Sequence, residues 1–308
     1  MLESILKIEG VSHWFGENKV LYNINLDIKR GQIVGIVGPS GCGKSTLLRA
    51  ILGTHLPSQG KIIAYDGETS KVIDGPGRDR GIVYQRYSLF PHLTAQENVA
   101  YGLMVDQTSI PGRTFKYLVW RDLRRKHMQQ AAEMLEKMKL GSALKKYPPE
   151  MSGGMCQRVA LAQALIMKPT VLLLDEPFGA LDEATREEMQ RVLLILYGEN
   201  CNAIKAGKQP PYTMFLVTHE INEAIYVGDR VVGLSQYWNW KETGQTSCPG
   251  ATIVYDKPSP VFAAKNERNF LLFREQKEEI ICTVFNPEAC RSYREYTTVV
   301  DRTKIIGG

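Results

Sequence analysis

Polar and apolar residues alternate through the first thirty positions, in ILKIEGV and again in VLYNINLDI, a period of two that predicts half-buried antiparallel strands. At 33–38 the alternation gives way to IVGIVG, a continuous apolar run. Such a run predicts a strand covered on both faces, as in a parallel sheet. A glycine-rich turn and a helix over roughly 44–53 follow, and residues 61–90 return to strands broken by turns around DGPGRDRG. From about 94 to 168 apolar residues recur at three- and four-residue steps, as in RKHMQQAAEMLEKMKL, which predicts helices. Strand patterns resume with VLLLD at 171–175, FLVTH at 215–219 and VVGL at 231–234, with a helix between that shows Met189, Val192, Leu193 and Leu196 on one face. The segment 198–213, GENCNAIKAGKQPPYT, is expected to be a loop, and everything after about 240 has no clear period.

Composition narrows this picture only slightly. With 308 residues, 44% hydrophobic and 23% charged, the chain is long enough for one large domain with appendages. A net charge of +5 is too weak to argue for a nucleic-acid partner. No apolar run reaches 18 residues and the start carries no signal-peptide pattern, so the chain is expected neither to span a membrane nor to leave the cytosol. Six scattered cysteines without a C-x-x-C pair are expected to be free thiols.

Two stretches carry chemistry. GPSGCGKST at 38–46 matches G-x-x-x-x-G-K-[ST] between a buried strand and a helix. Glycines at Gly38, Gly41 and Gly43 allow the backbone around Pro39, Ser40 and Cys42 to turn its N–H groups onto phosphates. Lys44 is placed to reach the β- and γ-phosphates, Ser45 to ligate Mg²⁺ and Thr46 to sit near the α-phosphate. VLLLDEP then brings Asp175 to the end of a buried strand, toward the Mg²⁺ shell. Alternation along the strand turns Glu176 to the other side, toward an attacking water that needs a base.

The ordered set formed by the phosphate loop, Gln85 in GIVYQRYSLFP, MSGGM at 151–155, the acidic strand, ALD at 180–182 and His219 in LVTHE resembles the nucleotide-binding subunit of ATP-binding cassette (ABC) transporters, over about residues 5 to 235. The resemblance implies an α/β fold: a RecA-like P-loop core, an antiparallel β subdomain and a helical subdomain inserted at about 94–168. The cassette would cover 1–240, with an extension at 241–308 of unassigned role.

It also implies roles. Gln85 senses Mg²⁺ and the water, and His219 contacts the γ-phosphate. Asp182 speaks across to a second subunit, although it also reads as the N-cap of the next helix. Phe15 in HWFG stacks on adenine; Trp14 is its rival, and Phe15 is favoured because it directly precedes Gly16. Ser152, which caps a helix near Met155, with Gly153 and Gly154 would close over the ATP of the opposite subunit.

The implied cofactors are ATP and Mg²⁺. The implied partners are a membrane permease on separate chains, a second copy or homologous ATPase subunit, and a solute-binding protein. The chain would then sit peripherally on the cytoplasmic face of the inner membrane. The wording around Gln85 and Met155 is similar to the nitrate/sulfonate/taurine group of importers, which implies a small anion as cargo. Met151, Cys156 and Gln163 depart from the family's usual residues and leave the contact at the signature open. A soluble single-cassette ATPase acting in cofactor assembly or repair is the alternative. The basic stretch 113–127 reads as a solvated helix face, with contact to a membrane partner as the sharper alternative.

Overall fold

The alternating N-terminal segments form two long antiparallel strands, β1 (Ser4–Phe15) and β2 (Asn18–Lys29), joined by a tight turn at Gly16, φ +59°. With β4 (Gln59–Asp66) and β5 (Thr69–Val72) they make a sheet of order β2-β1-β4-β5. Their inward positions, among them Ile5, Ile8, Ile24 and Ile28, are fully buried. The computed structural model describes residues 3–67, 69–107, 117–179, 181–259 and 270–288. The described chain divides into two units, Met1–Gly77 with Leu193–Gly308, and Arg78–Val192.

In the first unit the continuous apolar run is β3 (Ile33–Val37), buried at all five positions. It lies between two parallel neighbours, β8 (Met214–Val217) and β9 (Arg230–Ser235). A strand with parallel partners on both sides and no exposed position needs apolar side chains on both faces, which is why alternation stops there. Helix α1 (Lys44–Leu52) follows β3 and ends at Gly53, φ +87°, whose N–H bonds the last-turn carbonyls.

The part of the chain after 240 is more regular than its pattern. Strand β10 (Thr252–Pro258) pairs antiparallel with β9, and helix α7 (Phe270–Ile280) follows. Ile280 and Val284 are buried against Val231, Val254 and Tyr255 in one apolar cluster. Trp238 is 1% exposed in that cluster, stacks on Tyr22 at 5.4 Å and donates its indole N–H to the Gly250 carbonyl at 3.0 Å. The expected loop at 198–213 is corrected in its first half, because the helix α5 (Glu183–Lys205) continues through it. Buried Asn200 explains the difference. It donates to the carbonyls of Gly31 and Tyr212 and accepts from the Tyr212 N–H, so its polarity serves tertiary bonds, not a turn.

The second unit pairs β6 (Arg80–Val83) in parallel with β7 (Val171–Asp175). Its helices are α2 (Ala95–Gln107), α3 (Tyr117–Lys137) and α4 (Gly153–Ile166), which pack on one another. Buried Asn98 ties the loop before α2 together. It accepts from the Phe90 N–H and donates to the carbonyls of Phe90, Leu93 and Thr94. Thr94 and Glu97 exchange side-chain bonds to each other's backbone N–H, a capping box that fixes where α2 begins.

Candidate functional site

The phosphate-loop candidate belongs to the first unit. Gly38 must be glycine: a Cβ there would lie 2.1 Å from the Leu234 carbonyl oxygen. Gly43, φ +95°, presses against Val20 and Leu21, and Gly41 has φ +78°. α1 then starts without a side-chain cap and without an acidic residue in its first turn. The positive end of its dipole therefore faces the loop, an arrangement that favours an anion. Lys44 is buried, with Nζ donating to the carbonyls of Gly38 at 2.7 Å and Pro39 at 3.0 Å. Ser45 and Thr46 follow it, half-buried, on the first turn of the helix. These features suit a polyphosphate.

Parallel pairing of Ile36 with Val217 brings the loop after β3 and His219 after β8 to the same edge of the sheet. The His219 side chain is half exposed, with Nε2 3.8 Å from a Glu220 carboxylate oxygen. Its preceding residue is fixed from beneath. The Thr218 hydroxyl donates to buried Glu223 at 2.5 Å and accepts from the Glu220 N–H at 3.0 Å. Glu223 was not a candidate from sequence, where it is one more charge on a short helix. Phe15 ends β1 with its ring 46% exposed, and Trp14 is 39% exposed. Trp14 lines a cavity of about 460 Å³ with Glu17, Lys19, Gln59 and Gln245, whereas Phe15 packs against His13 and His55.

The remaining candidates belong to the second unit. Pairing of Val83 with Leu174 places Gln85, two residues past β6, and Asp175, the last residue of β7, at the same end of the two strands. The carbonyl of Tyr84, just before Gln85, accepts from the Gln157 amide at 3.0 Å. A Cβ on Gly179 would come within 2.9 Å of the Gln85 amide nitrogen, so the glycine makes room for Gln85. Sequence reasoning missed Gly179, because glycines after an acidic strand have no distinguishing pattern. The expected divergence of Asp175 and Glu176 by strand alternation is replaced by a different device. β7 ends at Asp175, and Glu176 has φ +47°, a left-handed conformation that sets its direction by a backbone turn.

Ser152 caps α4 as expected, its hydroxyl accepting from Met155 N–H at 3.3 Å, with Gly153 and Gly154 as the first helical residues. Gly154 has a further reason inside its own chain: a Cβ would fall 1.6 Å from the Thr185 methyl. Thr185 in turn donates both its N–H and its hydroxyl to the Asp182 carboxylate, at 3.0 and 2.8 Å. Those bonds pull the Asp182 pKa below the usual carboxylate range. The structure thus joins the signature helix to the Asp182 turn. Cys156 does not face outward from that helix. It is buried, its thiol directed at the Pro148 carbonyl at 3.6 Å, and burial raises its pKa. Arg158 is also buried and bridges to Glu188 at 3.0 Å. Of the basic stretch, 113–116 lie outside the described residues. Arg121, Arg124 and Arg125 are exposed, with Arg124 3.4 Å from Glu97.

Comparison with known proteins gives a consistent result. The model of the family described as ABC transporter matches residues 21–179. The aliphatic sulfonates import ATP-binding protein SsuB of Bacillus cereus is 42% identical over 234 residues, 75% of this chain and 81% of that protein. The sulfate/thiosulfate import ATP-binding protein CysA of Pseudomonas syringae pv. tomato is 40% identical over 258 residues, 83% and 71% of the two chains. Among solved structures, the dimeric post-hydrolysis state of the ATP-binding cassette MJ0796, bound to ADP and Pi, is similar. Its TM-score is 0.61 at 28% identity, over 84% of this chain and all of that one. The cbiO1 subunit from Clostridium perfringens, at 22% identity and TM-score 0.62, agrees in fold.

Proposed function

The chain belongs to the ABC transporter family, and from that membership we propose that it is the ATP-hydrolysing subunit of an importer for a small sulfur oxyanion or organic sulfonate. The named relatives act on sulfonates and sulfate, which supports that class of cargo. The permease is proposed to lie on separate chains; no helix among the described residues is long and apolar enough to cross a membrane. The subunit works peripherally on that permease at the cytoplasmic face, as a dimer of itself or with a homologous ATPase.

The single observation that carries the reading is the loop from Gly38 to Lys44 with the uncapped start of α1 behind it. Backbone N–H groups hold the phosphates, and Lys44 exchanges its own loop's carbonyls for phosphate oxygens. Phe15 supports the base. Glu176 takes the proton of the attacking water, Gln85 orients that water, and His219 steadies the γ-phosphate. Ser152, Gly153, Gly154 and Asp182 face the partner subunit's nucleotide. Ser45, Gln85 and Asp175 are the residues that would hold Mg²⁺, an ion that takes few protein ligands and keeps phosphate oxygens and waters. When bound, it neutralises charge on the β- and γ-phosphates.

For the permease we favour the exposed aromatic surface of the second unit, where Tyr87, Phe90 and Tyr101 are each 37–42% exposed. Phe90 and Tyr101 touch at 4.7 Å, and exposed aromatics in contact are common anchors of interfaces. This surface is better suited than the exposed arginines of α3, which read as a solvated face.

Phosphate release from ATP by the purified chain tests the reading. Steady Mg²⁺-dependent turnover is expected, and Lys44→Ala is expected to lower it by at least about a hundredfold, the scale of losing a preorganised charge contact. Turnover that survives in Lys44→Ala would overturn the assignment.

A further inference from the structure

We infer that His13 and His55 are positioning residues that clamp the Phe15 ring as the base-stacking platform, and that the clamp loosens when the His13 imidazole gains a proton. The inference rests on the reading of Phe15 as the adenine platform.

Residues 13 and 15 are two apart on β1 and so share a face, opposite Trp14. The ring centroids of His13 and Phe15 are 4.6 Å apart at an interplanar angle of 80°, and those of Phe15 and His55 are 6.0 Å apart at 73°. Both contacts are edge-type, a preferred geometry for aromatic pairs. Two edge-type contacts fix the ring's orientation while leaving it 46% exposed to a ligand.

His55 is tied to the end of α1. Its N–H and that of Thr54 both bond the Arg49 carbonyl, at 3.3 and 3.1 Å, just past the end of α1. The helix that begins with Lys44 therefore ends at the clamp.

The clamp is built for a neutral His13. His13 is 7% exposed, and neither of its ring nitrogens has a partner in good hydrogen-bond geometry. A charge there is unfavourable in a buried setting. Burial first, and His55 second, depress the His13 pKa below the usual histidine value, against an opposing pull from the Leu56 backbone. The residues paired along its strand are Leu21 on β2 and, one position before, Gln59 on β4, neither of them charged. Glu17 and Lys19 line the cavity on the Trp14 side. Among the described residues His55 is thus the titratable group that bears on His13, and it opposes a charge there. A protonated His13 must leave its seat for water, and Phe15 loses its brace.

The test is equilibrium binding of ATP and of inorganic triphosphate between pH 5.5 and 8, to the full chain and to Phe15→Ala, His13→Phe and His13→Leu, each checked for folding by its melting curve. Triphosphate removes the base and so isolates the platform. Relative to triphosphate, ATP affinity of the native chain is expected to fall about three- to tenfold on acidification, the worth of one stacking contact. In the His13 variants that extra acid loss is expected to vanish. Phe15→Ala is expected to weaken ATP, not triphosphate, at every pH. If Phe15→Ala leaves ATP affinity unchanged, the platform reading itself fails. If Phe15→Ala weakens ATP but a folded His13 variant keeps the native acid loss, the clamp alone is wrong.

Discussion

Single atoms decide several positions of the site. A methyl group added at Gly179 meets the Gln85 amide at 2.9 Å, so Gly179→Ala is expected to push Gln85 aside without straining the backbone. Because Gln85 is proposed to orient the attacking water, kcat should fall about tenfold or more while KM for ATP stays near native. Unchanged kcat in steady-state kinetics would remove Gln85 from the proposed mechanism. Asp229 gives a residue-scale prediction of another kind. Burial pushes its pKa up to about 7, partly offset by the Ile33 N–H and by Arg230. Its folded pKa lies above the unfolded value, so the fold binds the proton more tightly than the unfolded chain. Stability from this group is full below about pH 4, the unfolded value, and is lost as pH rises through about 7. Asp229→Asn keeps an acceptor for the Ile33 N–H and removes the titration. Thermal melts should show native Tm falling between pH 5 and 7.5 by more than that of the variant. Parallel profiles would show that Asp229 does not titrate in that window.

Elements show how much was legible beforehand. The buried run of β3, the phosphate loop, the start of α1 and the cap at Ser152 follow from local rules, and each stands where its pattern places it. What was not legible depends on distant partners. Asn200 looks like a loop residue until the carbonyls of Gly31 and Tyr212 are beside it. Glu223 looks like surface charge until Thr218 donates to it. Gly154 looks like part of a helix cap until Thr185 packs over it. Strand β10 and helix α7 lacked a period because their burial is set by the Trp238 and Val284 cluster, not by one solvent face. Asn98 is the element-scale test of such tertiary polarity. Its truncation to Ala removes the side-chain bonds of the Phe90 N–H and the Leu93 carbonyl, and leaves the Phe90 and Thr94 carbonyls only their backbone donors, Leu93 N–H and Asn98 N–H. The expected loss is about 2–4 kcal/mol by denaturant unfolding. A loss under about 0.5 kcal/mol, the level of ordinary surface changes, would mean that water replaces Asn98 without cost.

At the scale of the whole molecule, the chain supplies two kinds of surface, and in the proposed mechanism the first holds its own nucleotide while the second faces that of the partner subunit. One is the loop from Gly38 to Thr46 with His219, and the other is the start of α4 with Ser152 and the Asp182 turn bound to it. The capping reading of Ser152 is correct and explains the local geometry. The two bonds from Thr185 to Asp182 add that the signature and the Asp182 turn are presented as one preformed piece. Burial of Cys156 keeps that departure from the family's usual residues away from the presented surface, while Met151 and Gln163 are half-buried. In the proposed mechanism ATP bridges two copies, and its hydrolysis separates them. Replacing Glu176 by Gln should retain binding and remove the base, so that the bridge forms and is not cleared. The decisive measurement is the mass of Glu176→Gln in solution by light scattering, with and without Mg²⁺-ATP. The account predicts a shift from monomer to dimer on adding ATP, absent with Lys44→Ala in the same background; a monomer at saturating ATP would contradict it.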